Sequence, residues 1–385
     1  MGFSQALSGL NAASSNLNVV SNNIANSQTV GFKSSTTLFA DVYAGAKVGL
    51  GTRVAGVMQN FNAGSLETTD RGLDLAISGD GFFRLNQGGQ VVYSRNGQLT
   101  LTPEGYLENA QGAQLLGSNG VIQIPSDGMP ASATNQVDAT LNLDANATPV
   151  VRATTPFDAS DADTYSYANT ATVFDSLGNS HNLVMYFTKT GTNTWEVQSG
   201  LDGVVNPAQT QTLTFNSSGV LTAGGAGNYA FPMTNGANNI NFELDLAGTT
   251  QFGNDFEMSS LSQNGYTAGS LVGFVIDENG GVIGNYSNEQ SREIAQIQLA
   301  NFRSPEGLQP VGDNAWVETT ASGQPLLGAA GVGQFGSIET GVVEASNVDL
   351  TNELVDLIIA QRNFQANAQS VKAQSDVLEQ AVNLS

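Results

Sequence analysis

"SGLNAASSNLNVVSNNIANSQTVGFK" spans residues 8 to 33, and Lys33 is its only charge. Its apolar residues still keep helical time. Counting from just upstream, Phe3, Leu7, Leu10, Ala13, Leu17, Val20 and Ile24 follow one another in steps of three or four. That spacing puts them on one face of an α-helix. The far end of the chain carries a longer version, "SNVDLTNELVDLIIAQRNFQANAQSVKAQSDVLEQAVNLS", residues 346 to 385. There Leu350, Leu354, Leu357, Gln361, Phe364, Ala368, Val371, Ser375, Leu378 and Val382 alternate steps of 4 and 3. Asp349 or Asn347 stands where a helix needs an N-cap. At about 1.5 Å per residue this helix runs roughly 50 Å. No other segments are strongly helical.

Between the ends the chain reads as strands and turns. "GFFRLNQGGQVVYSRNGQLTLTPEGYLENAQGAQLLG" alternates apolar and polar residues between Gly-Gly, Asn-Gly and Pro-Glu-Gly breaks, which are hairpin signals. "TATVFDSLGNSHNLVMYFTKTGTNTWEVQSG" and "GSLVGFVIDENGGVIGNYSN" repeat the pattern. The fold class is therefore mainly β with α-helical termini. Residues 145–267 form an acidic unit, with ten Asp or Glu against Arg152 and Lys189. A stretch of one sign belongs on a solvated surface. The Thr-, Pro- and Asp-rich residues 148–164 read as the linker into it.

Bulk composition narrows the function. The chain has 385 residues, 12 Lys and Arg against 34 Asp and Glu, and a net charge of -22. That balance argues against nucleic acid and against anionic membranes. With no cysteine, disulfides, thiol catalysis and zinc–thiolate sites are excluded. No apolar run is long enough for a transmembrane helix. The first residues lack the basic start and apolar core of a cleaved signal peptide.

Three motifs invite a chemical reading. "GVGQFG" (331–336) has the glycines of a dinucleotide fingerprint, but that motif must open a helix, and the β-like "GVVEASN" follows; a tight turn is expected. "DASDADTYS" (158–166) suggests calcium, but Ser166 and Thr172 stand where an EF-hand loop starting at Asp161 needs Gly and Glu; a solvated acidic loop is expected. His181, the sole histidine, lacks a nucleophile elbow elsewhere in the chain and reads as a strand or turn residue. The sequence thus points to no catalytic, cofactor-binding or metal-ligating residue, and to no enzyme.

The two ends are more specific. "SNNIANSQTVGFK" (21–33) and "EASNVDLTNELVDLIIAQRNFQANAQSVKAQSDVLEQAVNL" (344–384) resemble the terminal signatures of the flagellar rod, hook and hook-associated axial proteins. "RGLDLAISGDGFFRL" and "YSRNGQLTL" resemble that family's inner β-domain. "FADVYAGAKVGLGTRVAG", "TVFDSLGNSHNL" and "IGNYSNEQ" resemble segments of its longer members. The large central insert argues against its rod members, and these segments argue against its hook–filament junction members.

The resemblance implies nested, discontinuous domains. Residues 1–30 and 350–385 would form a helical, coiled-coil-like inner-tube layer on assembly, and 31–70 with 343–349 a connecting segment. Residues 71–144 and 268–342 would form an inner β-domain, and 145–267 an outer β-domain inserted in one piece. It implies a self-assembling structural subunit of a hollow, flexible tube that carries torque as a universal joint. The implied partners are further copies of the chain, the distal rod, cap and junction proteins, and the flagellar type III export apparatus. The apolar residues Leu7, Leu10, Leu17, Val20, Ile24, Leu350, Leu354, Leu357, Phe364, Val371, Leu378 and Val382 would be buried between subunits. The alternative from another class is a β-rich surface adhesin, which leaves both helical seams unexplained.

Overall fold

Helices stand at the two ends of the chain and strands fill the interval. The computed structural model describes residues 3–42 and 49–383. Helix α1 spans Phe3–Ala25 and helix α2 spans Leu350–Asn383. Asp349 caps α2: its Oδ1 accepts from Thr351 N at 2.9 Å and Asn352 N at 3.2 Å. The other cap candidate, Asn347, is bonded elsewhere.

The chain divides into two compact units. The first comprises Met1–Ser126, Phe274–Gly284 and Arg292–Ser385. After α1 it forms a two-stranded antiparallel ribbon, β1 (Ser35–Asp41) with β2 (Thr52–Gln59). Its β-core is a sheet in which the Phe82–Gln87 strand pairs with Gln90–Ser94, Gln114–Gly117 and Gln298–Asn301. Phe82, Tyr93, Phe302, Leu308 and Trp316 fill its aromatic cluster. Phe82 meets Phe302 and Trp316 edge to face. Asp74–Ser78 pairs with Ser337–Thr340, and Leu66–Thr68 with Val342–Glu344. Residues remote in sequence thus share strand ladders throughout this unit.

The second unit comprises Asp127–Gly273 and Asn285–Ser291. One five-stranded sheet is a meander beginning with Tyr167–Phe174, Ser180–Gly191, Thr194–Leu201 and Val204–Phe215. The other centres on Gln136–Asp144, which runs parallel to Ile240–Asp245 and Thr250–Phe252 and antiparallel to Glu257–Gln263. Both sheets turn apolar faces into one core containing Leu141, Phe187, Trp195, Phe215 and Phe242. Trp195 is fully buried and donates Nε1 to Gln251 Oε1 at 2.7 Å. The central Gln136–Asp144 strand precedes residue 145, so this unit begins on the near side of the boundary that composition suggests. Residues 148–164 are not a loose linker. Arg152 folds them back, pairing with Glu196 and donating to Thr164 O, each at 2.8 Å. Val150 N also donates to Lys189 O at 2.7 Å, and composition sees the Thr and Pro content but not these anchors.

Candidate functional site at the paired chain ends

The helices lie antiparallel. Asn23 of α1 donates Nδ2 to Glu353 Oε1 of α2 at 2.8 Å. Fourteen residues back along α1, Gly9 faces Asn367, fourteen residues further along α2: a Cβ on Gly9 would lie 2.7 Å from Asn367 Oδ1. Equal steps on both helices keep the antiparallel pair in step from Asn23–Glu353 to Gly9–Asn367. The contact is built from small residues. Ala6, Ala12, Ala13 and Val20 are buried on α1, and Ala360 on α2. Small side chains let helix backbones approach closely, so this face, rather than the larger leucines, takes the inside position.

That choice distributes the expected seam residues. Val20 is buried; Leu10, Leu17, Ile24, Leu357, Phe364 and Val371 are half-buried. Leu7, Leu350 and Leu354 are exposed. The side chains of Leu378 and Val382 lie outside the described residues. The period does not specify whether a second helix of the same chain or a second molecule covers a seam, and α1 covers part of this one. Three residues outside the seam, Val355, Ile358 and Ile359, are each at least half exposed on α2. With Leu354 they form an uncovered apolar stripe. On the ribbon, Leu38, Phe39, Val57 and Met58 are also exposed.

Beneath the helices a polar junction ties the two chain ends together. Asn23 is buried; besides Glu353, it donates to Ser35 O at 2.8 Å and accepts from Ser35 N at 3.0 Å. Asn347 accepts from Ser34 N at 2.8 Å and donates to Asn60 O and Asn62 O. Gly31 has φ 72° and donates its N–H to Glu344 O at 2.7 Å. A side chain there would meet the backbone of Arg95 and Asn96, so only glycine fits.

Lys33, the lone charge of the opening stretch, is the centre of this junction. Its Nζ lies 2.6 Å from Glu344 Oε1, and neither side chain has any exposed surface. Nζ also donates to Asn62 O at 2.7 Å, while Gly64 N donates to Glu344 Oε1 at 2.8 Å. Arg95 faces the second carboxylate oxygen at 3.4 Å and donates to Ile77 O and Gly79 O. Burial pushes the Lys33 ammonium and the Arg95 guanidinium below their ordinary pKa values, and Glu344 pulls both partly back. Burial also raises the Glu353 carboxyl, against the bond from Asn23. The sequence does not assign Lys33, Arg95, Glu344, Asn23 or Asn347 to a site. Its one signal is an isolated lysine in an otherwise uncharged helix-to-strand passage.

The chemical candidates lie apart from this junction. In "GVGQFG", Gly331 and Gly333 take positive φ in a turn that runs into the Ser337–Thr340 strand. Asp161 caps a single 3-10 turn, Ala162–Thr164, by accepting from Asp163 N. His181 lies on the Ser180–Gly191 strand of the second unit.

Known proteins resemble the chain along its whole length. Family profiles match in succession: flagella basal body rod protein at residues 4–33, and flagellar hook protein FlgE/F/G D1 domain at 76–146. Next come flagellar basal body protein FlaE D2 domain at 142–266 and flagellar basal body rod FlgEFG protein C-terminal at 339–384. The chain is 47% identical over 406 residues to the flagellar hook protein FlgE of Salmonella typhimurium, covering 100% of both. It is 47% identical over 403 residues to that of Escherichia coli K12, again covering 100% of both. Identity to that of Borreliella burgdorferi is 31% over 437 residues, covering 98% of each. The crystal structure of Helicobacter pylori flagellar hook protein FlgE2 has a similar fold, with TM-score 0.56 at 13% identity over 72% of this chain and 100% of that one. The chain belongs to the flagellar hook protein family, and it is a structural subunit of the bacterial flagellar hook.

Proposed function

We propose that the subunit polymerises through the uncovered stripe of α2, and that the resulting tube bends as a universal joint between motor and filament. The observation that carries this is the exposure of Leu354, Val355, Ile358 and Ile359 on a helix whose other face is already occupied by α1. A contiguous exposed apolar surface marks an interaction site. Of the seam residues expected between subunits, Leu7, Leu350 and Leu354 keep that role, and Phe364, Leu357 and Val371 serve first to hold the two helices together. The acidic second unit, with its charged surface, supplies contacts that open and close during bending. The function is mechanical and not enzymatic. Further copies of the chain are the main partner; rod, cap and junction proteins meet the ends of the tube, and the chain reaches them through the flagellar type III apparatus without cleavage.

The test is assembly of concentrated protein watched by electron microscopy. Ile358→Asp removes a side chain whose burial stabilises by about 1.5–3 kcal/mol and replaces it with an unpaired charge. Because residue 358 is exposed in the single chain, the variant should keep wild-type thermal transitions and form no tubes. Tubes of normal appearance from Ile358→Asp would remove the stripe from the interface.

A further inference from the structure

The second unit holds the chain's only histidine between two carboxylates. The His181 side chain is 11% exposed, with Nδ1 2.6 Å from Asp202 Oδ2 and Nε2 3.3 Å from Asp175 Oδ2. Ionised carboxylates only accept, and a neutral imidazole carries one N–H. With an aspartate facing each ring nitrogen, only the imidazolium can donate to both.

Each aspartate extends the connection. Asp175 is fully buried and accepts from Leu177 N and Asn179 N at 2.9 Å, from Asn179 Nδ2 at 2.9 Å and from Asn235 Nδ2 at 2.7 Å. Asn235 belongs to the loop between the Ala226–Phe231 and Ile240–Asp245 strands of the opposite sheet. Asp202 lies in the turn after Thr194–Leu201 and accepts from Asn182 N at 2.8 Å. Three loops therefore converge on one ring. Among the described residues, the elements around the ring bring few other charges. The Tyr167–Phe174 strand and residues 232–239 carry none, and the Ser180–Gly191 strand adds only Lys189. Thr194–Leu201 adds only Glu196, which pairs with Arg152 and lies opposite Thr188, seven positions along from His181.

We propose that protonated His181 is a lock on these three loops, and that its deprotonation releases them, so that the second unit is firmest at mildly acidic pH. Burial alone would lower the imidazole, but the bonds to Asp202 and Asp175 outweigh it and raise it above its ordinary 6.5. Burial alone would raise both carboxyls; hydrogen bonds from Asn179, Asn235 and His181 at Asp175, and from His181 and Asn182 at Asp202, hold them below their ordinary 3.8. The raised base contributes stability that is complete below 6.5 and lost as pH rises through its folded-state value. The lowered acids contribute stability that is complete above 3.8 and lost as pH falls through theirs. Both contributions are therefore present together between those limits.

A sole histidine makes the test direct. In the dilute full-length chain with isotope-labelled histidine, the ring resonance should titrate with a midpoint above 6.5. Asp202→Asn, at a half-exposed position, should lower that midpoint. Urea unfolding of the second unit, followed by Trp195 fluorescence in a Trp316→Phe background, should show a midpoint that falls as pH rises from about 6 to about 9. His181→Gln should flatten that dependence. A histidine midpoint at or below 6.5, no shift in Asp202→Asn, or an unchanged pH slope in His181→Gln would each overturn the lock.

Discussion

Glu344 has two cations against it and no exposed side-chain surface. Taking three charges out of water is costly, and the arrangement persists because each charge is matched by another or by backbone groups. What it gains is connection, since Lys33 and Glu344 are 311 residues apart and lie where the two chain ends enter the first unit. Removing one partner leaves the others uncompensated, which costs about 3–5 kcal/mol for a buried pair. Glu344→Gln should therefore lower the unfolding free energy of the first unit, read from denaturant titration of Trp316, by an amount of that order. The transition read from Trp195 in the second unit should not move. An unchanged Trp316 transition would mean that the ion pair carries no net weight in the junction. The sequence shows Lys33 as an oddity, one charge where none is expected, but the partners of a buried ion pair leave no local trace. Asn23 and Asn347 are equally opaque, because an asparagine looks the same in a solvent-facing helix as in a satisfied interior.

At the scale of elements, the helical period and its capping residue were legible from the residues alone, as were the hairpin signals between them. The inward face was legible only in part: Ala13 and Val20 lie on the period, whereas Gly9, Ala12 and Ala360 do not. A pattern of large apolar residues marks the side that avoids water, whereas α1 and α2 meet along Gly9, Ala12, Ala13 and Ala360 because close approach requires small side chains there. Gly9→Leu should push the Asn367 side chain aside and weaken the helix pair there. It should expose α1 to limited proteolysis while the β-core of the first unit, read from Trp316, keeps its stability. Protection of residues 3–25 equal to wild type would show that the pair tolerates the larger side chain. The parallel pairing of Gln136–Asp144 with two later strands was likewise hidden, since the partners lie about a hundred residues away and the strand's own alternation fits either neighbourhood.

For the whole molecule, the mainly β character with helical ends was legible, because it follows from periodicities that each segment carries by itself. The extent of each unit was harder to read, because composition changes at residue 145 while the strand ladders begin earlier. A deletion should follow the ladders. In the second unit the incoming and outgoing chain lie side by side, with Met129 N donating to Gly269 O at 2.7 Å. Joining Ser126 to Ser270 through a short flexible linker leaves the Leu271–Ile276 strand whole beside its Gly281–Tyr286 partner and should therefore preserve the unfolding transition of the first unit. If the second unit tunes bending rather than holding the tube together, this shortened chain should still assemble, into tubes of altered curvature. Cutting instead at 144 and 268 would strand the Gln136–Asp144 strand without its partners and should produce aggregation.

In the proposed assembly α2 presents one face to α1 and offers the other to a neighbouring subunit. An electron-microscopy reconstruction of tubes grown from the full-length chain, at a resolution that separates side chains, tests it most directly. Leu354, Val355, Ile358 and Ile359 should pack against a neighbouring subunit, with the Gly9–Asn367 contact and the Lys33–Glu344 pair kept within each subunit. A tube in which that stripe faces solvent, or in which α1 leaves its own α2 to pair with a neighbour's, would contradict it.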